Sequence, residues 1–163
     1  MSIVPGIWMM LIGLFLKKSA ENEYQAVALR LGLKDMTLRQ IMSPPVAVHP
    51  SMTIAEFIND YVFHYHYRVF PVVEGDDFKG MIDVRSIKGV PTNEWQTAWI
   101  SRYLADPSTY VVLDPDMDAA DTLRLLLERN CGKAPIVENG ALVGIITQED
   151  LFKLISLKSD LAA

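Results

Sequence analysis

Two stretches of the chain, 65 residues apart, carry one pattern, and this duplication restricts the available folds more than any other feature. "VHPSMTIAEFINDYV" (48–62) aligns with "LDPDMDAADTLRLLL" (113–127), so that Pro50 meets Pro115 and Met52 meets Met117. Ile54, Phe57, Ile58, Tyr61 and Val62 fall at i, i+3, i+4, i+7 and i+8. Ala119, Thr122, Leu123, Leu126 and Leu127 repeat that stripe. Each stripe predicts an amphipathic helix with one face on a core. Thr53 with Glu56 forms a capping box for the first helix, and Asp118 caps the second.

Downstream the offset falls to 64, and Pro71 meets Pro135. In each copy a short β-branched run meets a glycine-containing turn, a second run follows, and a polar step leads into another helix. Asn139-Gly140 is a hairpin signal. Each repeat therefore reads strand, helix, strand, turn, strand, helix. Pro71 and Pro135 cannot donate ladder hydrogen bonds, so their strands are expected to begin there or to run along an edge. Units of about 60 residues are small for independent stability, so the two are expected to pack together about a pseudo-two-fold axis. Trp95 and Trp99, in the linker "VPTNEWQTAWI" (90–100), are expected on a short helix covering the seam.

Half of the 163 residues are apolar, enough for a substantial core. The net charge of −5 argues against general nucleic-acid binding, which needs lysine and arginine to neutralise phosphates. The single cysteine, Cys131, allows no internal disulfide. It reads as a small buried or half-buried thiol at a helix end. No nucleophilic catalytic set and no glycine-rich phosphate loop is visible.

The N-terminus departs from this pattern. "IVPGIWMMLIGLFL", Ile3 to Leu16, is 14 uncharged residues followed closely by Lys17 and Lys18. A spanning helix needs about 20. No basic residue precedes the run and no small-residue cleavage site follows it, which disfavours a signal peptide. An all-round apolar run is equally unlike an ordinary amphipathic core helix. The favoured reading is a membrane-embedded segment with its lysines on the cytoplasmic side, and the alternative is a buried or partner-facing one.

"HYHYRVFPVV" (64–73) brackets two histidines with tyrosines. A histidine pair binds metal only where other ligands converge, and His49 and a distant Cys131 make a poor set. No metal site is expected. Tyr61 belongs to the core stripe, while His64, His66, Tyr65 and Tyr67 are expected to line a cleft entrance or a dimer face.

"LRQIMSPPVAVHPSMTIAEF", "RVFPVV" and "GMI", followed by "ISRYLADPSTYVVLDPDMDAA" and "KAPIVENGALVGIITQEDL", resemble a tandem cystathionine-β-synthase (CBS) domain pair, or Bateman module, over about residues 36 to 157. "GIWMMLIGLFLKKSAENEYQ" resembles the last membrane segment and exit helix of bacterial site-two-protease family proteins that carry a C-terminal CBS pair. The zinc-binding HExxH helix of those proteases is absent, so the expectation is a regulatory tail without catalysis.

The resemblance implies an α/β (α+β type) fold of two tandem CBS repeats. The expected boundaries are a hydrophobic helix at 1–18, a linker helix at 19–35, a first repeat at 36–94 and a second at 95–158. It also implies an adenine nucleotide (AMP-, ADP- or ATP-like) or related adenosyl ligand between the repeats. A homodimer is expected, with a membrane-protein partner, at the cytoplasmic face of a membrane, or in the cytoplasm if the N-terminal segment does not insert.

Thr147 and Asp150 match the family's ligand-contacting pair. A carboxylate accepts two ribose hydroxyls as charge-assisted bonds, and a helix start favours anions. The same Thr-x-x-Asp pattern also makes a plain capping box. By the same resemblance the adenine would lie near Pro45, Val46 and Ala47, and the phosphates near Arg68. Lys133 takes nearly the matching place in the second repeat. In the first repeat Asp83 and Ser86 exchange the acid and the hydroxyl, so that site is expected to be empty or altered, with Arg85 as an exposed helix arginine. A ligand-free interaction module that tethers a membrane assembly is the alternative.

Overall fold

The computed structural model describes Leu33 and residues 35–162. The hydrophobic run 3–16 and nearly all of the linker 19–35 lie outside the described residues. Among the described residues no helix is long and apolar enough to cross a membrane.

After a single turn α1 (Leu38–Ile41), the first repeat opens with the helix predicted by its stripe. Helix α2 (Ile54–Glu56) starts at the Thr53 capping box, with Thr53 N–H donating to Glu56 Oε2 at 2.8 Å. It continues as a π-helical stretch (Phe57–Val62) into α3 (Phe63–Tyr65) and stops at His66, whose φ of 58° is left-handed. The second repeat has the regular helix α4 (Ala119–Glu128), capped by Asp118 and ended at Asn130 with a φ of 52°. From cap to left-handed residue the first copy has one residue more. The wider π turns take up that residue, which is why the repeat offset falls from 65 to 64.

Hairpins follow each helix. Strand β1 (Val69–Glu74) pairs antiparallel with β2 (Asp77–Asp83), and β3 (Lys133–Glu138) with β4 (Ala141–Thr147). Asn139 and Gly140 both have positive φ, as a tight primed turn requires. The strand order is β1-β2-β4-β3, so Pro71 and Pro135 do sit on edge strands. Leu113 and Val48 add single parallel bridges outside β3 and β1.

The repeats are bound by an exchange. Leu38 and Arg39 N–H groups, at the entry to the first repeat, donate to Met117 and Pro115 carbonyls of the second. Ile100 and Ser101, at the entry to the second, donate to Met52 and Pro50 of the first. Ser43 N–H reaches Ile145 and Ala105 N–H reaches Met81 in the same reciprocal way. Two cores result. Leu33 and Leu38 pack with Leu123, Leu126, Ile136 and Leu151. Ala98 and Ile100 pack with Ile54, Phe57, Phe70 and Ile82.

This crossing sets a close contact at Gly144. A Cβ there would lie 2.5 Å from Met42 Sδ and 3.0 Å from its Cβ. Gly144→Ala is therefore expected to push the 42–46 segment off β4, at a cost of about 1–3 kcal/mol by urea unfolding.

Two expectations need correction. The final helix of the second repeat forms as α5 (Gln148–Ala162), but its first-repeat counterpart is only a 3₁₀ turn over Val84–Ile87. Gly89 and Pro91 follow immediately and oppose continuation. Trp95 and Trp99 share no helix. Trp95 closes a 3₁₀ turn (Thr92–Glu94) and packs on the first repeat's core, while Trp99 precedes another (Ile100–Tyr103) and is half exposed.

Candidate functional site

The exchanged lead-ins create two related clefts, one at the end of each hairpin. The cleft of the second repeat has a volume of about 310 Å³. One wall is β4 turning into α5, with Ile145, Thr147 and Asp150. The other is Ser43, Pro44 and Val46, and Tyr67 and Lys133 also line it. The structure thus brings Thr147, Asp150, Val46 and Lys133 together. Pro45 and Ala47 belong to the same segment, half-buried, outside the lining.

Thr147 and Asp150 form a closed capping box. Thr147 Oγ1 donates to Asp150 Oδ2 at 2.6 Å, Thr147 N–H donates to the same oxygen at 3.2 Å, and Asp150 N–H donates to Thr147 Oγ1 at 3.0 Å. All of these leave Asp150 Oδ1 aside. The box seats the carboxylate at the first turn of a 15-residue helix. Lys133 is half-buried between the clefts, its Nζ 4.2 Å from the Tyr67 ring centroid and 3.5 Å from the Val69 carbonyl. Burial pushes its ammonium below the usual lysine range, and Asp150 partly opposes this. An anion in the cleft would meet a cation that is poorly solvated in its absence. Lys153 lies at the rim, paired with Glu149 at 2.8 Å.

The first repeat's cleft is larger, about 470 Å³, and Arg68 lines this one rather than its counterpart. In register, Lys133 pairs with Thr147 as Val69 pairs with Asp83, so the repeat equivalent of Lys133 is Val69, and Arg68 precedes it by one residue. Asp83 takes the place of Thr147 and caps its turn, accepting from Arg85 N–H at 2.8 Å. The Arg85 guanidinium folds back on it at 2.7 Å, and Arg68 approaches to 4.0 Å. Ser86 is exposed and outside the lining.

Burial alone would raise the Asp83 carboxyl, but the Arg85 hydrogen bonds and charge, with Arg68 adding, hold it below its ordinary value of 3.8. A depressed carboxylate contributes stability that is present above that value and lost as pH falls through the folded one. Asp83→Asn is expected to flatten the acid limb of stability, read by urea unfolding between about pH 2 and 5.

The histidine-tyrosine stretch is the exit of the helix. Tyr61, Tyr65, Tyr67 and Phe70 form a chain of ring contacts with centroids about 6 Å apart. His66 and Tyr67 line the clefts, and His49 binds Ser51 Oγ at 2.7 Å. Among the described residues no three His, Cys, Asp or Glu side chains converge as a metal site. Cys131 is buried. Ser43 and Pro44 escaped sequence reading by one or two positions. Tyr67, expected at a cleft entrance or a dimer face, lines both clefts.

Comparison with known proteins accords with this geometry. The CBS-domain profile matches residues 38–91 and 106–157. A zinc metalloprotease of Methanocaldococcus jannaschii is 31% identical over 152 residues, covering 93% of this chain and 41% of that protein. The chain thus spans less than half the length of that relative. The CBS domain of a bacterial CNNM/CorC family Mg²⁺ transporter, solved with ATP, superposes with a TM-score of 0.68 at 22% identity, covering 83% of this chain and 97% of that one. CBSX2, solved with AMP, gives 0.63 at 20% identity, covering 76% of this chain and 98% of that one. With both repeats matched and the exchanged two-cleft architecture in place, the chain belongs to the CBS-domain family, as a tandem pair of the regulatory kind.

Proposed function

We propose that the second-repeat cleft binds an adenine nucleotide, AMP-, ADP- or ATP-like, and that this module regulates a longer protein. One observation carries the reading. Thr147 and Asp150, at a helix start, share a single cavity with the apolar Val46 wall and the half-buried Lys133. Asp150 would accept the ribose hydroxyls through Oδ1. The base would lie against the Pro44–Val46 segment, with Pro45 and Ala47 behind it, and Lys133 would neutralise the phosphate. Arg68 would contribute only from the first-repeat cleft. The ligands named for the two solved relatives, ATP and AMP, agree with this class.

Ligand between the 42–46 segment and β4 would tighten or loosen the exchanged lead-ins, and so report to whatever adjoins them. The zinc metalloprotease relative suggests a protease as the regulated partner, and the N-terminal resemblance suggests the cytoplasmic face of a membrane as its place, with the module itself non-catalytic and dimeric. The closed Thr147–Asp150 box favours a second reading, a ligand-free interaction module in which both residues only cap α5.

A thermal-shift series with AMP, ADP and ATP separates the two. A ligand at about 100 times its dissociation constant should stabilise the chain by about 2.7 kcal/mol. A cooperative melt unmoved by all three would favour the interaction module.

A further inference from the structure

The two repeats differ most where the first lacks its last helix. In the second repeat α5 lies against α4 and buries Leu151. In the first, the chain turns away after Ile87, and among the described residues no helix follows to pack beside Ile58; Trp95 lies against that core instead. A cavity of about 380 Å³ is left there, on a floor of Ile58, Val84, Ile87 and Trp95. Its volume lies within the range of small-molecule sites, about 300–1,000 Å³. The remaining lining residues are all cationic, namely Arg68, Arg85 and Lys88.

The indole is fixed in place, its Nε1–H donating to the Val90 carbonyl at 3.0 Å. Arg68 and Arg85 also line the first-repeat cleft, where Asp83 is their one carboxylate neighbour. Lys88 has no ion pair among the described residues. Three cations against one carboxylate leave the rim positive in a chain of net charge −5.

We propose that this cavity binds a small amphipathic anion, with an apolar chain on Ile58, Val84, Ile87 and Trp95 and an acidic head among Arg68, Arg85 and Lys88. Charge complementarity selects the class. A neutral apolar guest would draw nothing from Arg68, Arg85 and Lys88, and a purely polar anion would leave the indole and aliphatic floor wet. The head competes with Asp83 for Arg85, so occupancy here alters the first-repeat cleft next to it. The proposal is independent of nucleotide binding at Thr147 and Asp150.

The test uses the full chain and bromodecanoate below its micelle concentration, because bromine quenches only an indole that it touches. Saturable quenching is expected, absent in Trp95→Phe, abolished by Val84→Phe, which fills the floor, and weakened about tenfold by Lys88→Glu. Bromodecanol should also bind about tenfold more weakly. Quenching that survives Trp95→Phe, ignores Val84→Phe and Lys88→Glu, or is equal for the alcohol would overturn the proposal. So would absence of saturable quenching, or a sedimenting dimer in which Trp95 is shielded from the probe, which would give this face to a second copy.

Discussion

Phe70→Ala is expected to cost about 3–5 kcal/mol, the usual range for emptying a phenylalanine site in a tight core. Phe70 is fully buried on edge strand β1. Its ring meets Phe57 edge-on at 5.3 Å, Tyr61 edge-on at 6.2 Å and Tyr67 at 5.9 Å. Truncation removes three aromatic contacts at once, two of them to the π-helical segment. A stability near the low end of the natural range, about 5 kcal/mol, would be nearly consumed. Urea unfolding checks this. The effect should also reach the clefts, because Tyr67 holds Lys133 and rests on Phe70. A loss near 1 kcal/mol would mean that the first repeat's core collapses around the gap, and that the aromatic chain is not what supports the shared wall.

Asp150→Ala should weaken nucleotide binding about a hundredfold while costing only about 1 kcal/mol of stability. The two effects have different sources. Stability loses a reciprocal cap at the start of α5, which Thr147 and Asp150 make with bonds of 2.6 to 3.2 Å. Binding loses the carboxylate proposed to take the ribose hydroxyls, and Lys133 loses its nearby counter-charge. Calorimetric titration with the best nucleotide, beside a urea melt of the same variant, separates them. Unchanged affinity with a lost cap would leave Asp150 a structural residue.

The local parts of this fold were legible. Thr53 and Glu56, Asp118, and Asn139-Gly140 are signals read within four residues, and each forms as spacing requires. The helix stripes were equally readable, and even the π insertion was announced by the change of offset. Exchange of the lead-ins was not legible. Its bonds, such as Arg39 N–H to the Pro115 carbonyl, join backbone groups far apart in sequence, and the ion pairs that go with them, Arg39 with Asp116 and Glu138, have no local spacing to give them away.

Site residues divide the same way. Thr147 and Asp150 lie in one turn and could be named together from their spacing and the family likeness; the structure places both on one cleft. Arg68 was expected beside the phosphates of the second-repeat ligand; it lines the first-repeat cleft, next to Asp83. The unformed helix after Ile87 was foreshadowed by Gly89 and Pro91, but the apparent symmetry of the repeats outweighed them.

Amide NMR of the isotopically labelled chain, titrated with AMP, tests the central claim most directly, since it reports which cleft is filled. Saturable shifts are predicted at Ser43, Val46, Lys133, Thr147 and Asp150, with Asp83 and Arg85 little changed. Shifts concentrated at Asp83 and Arg85, or none at millimolar AMP, would contradict it.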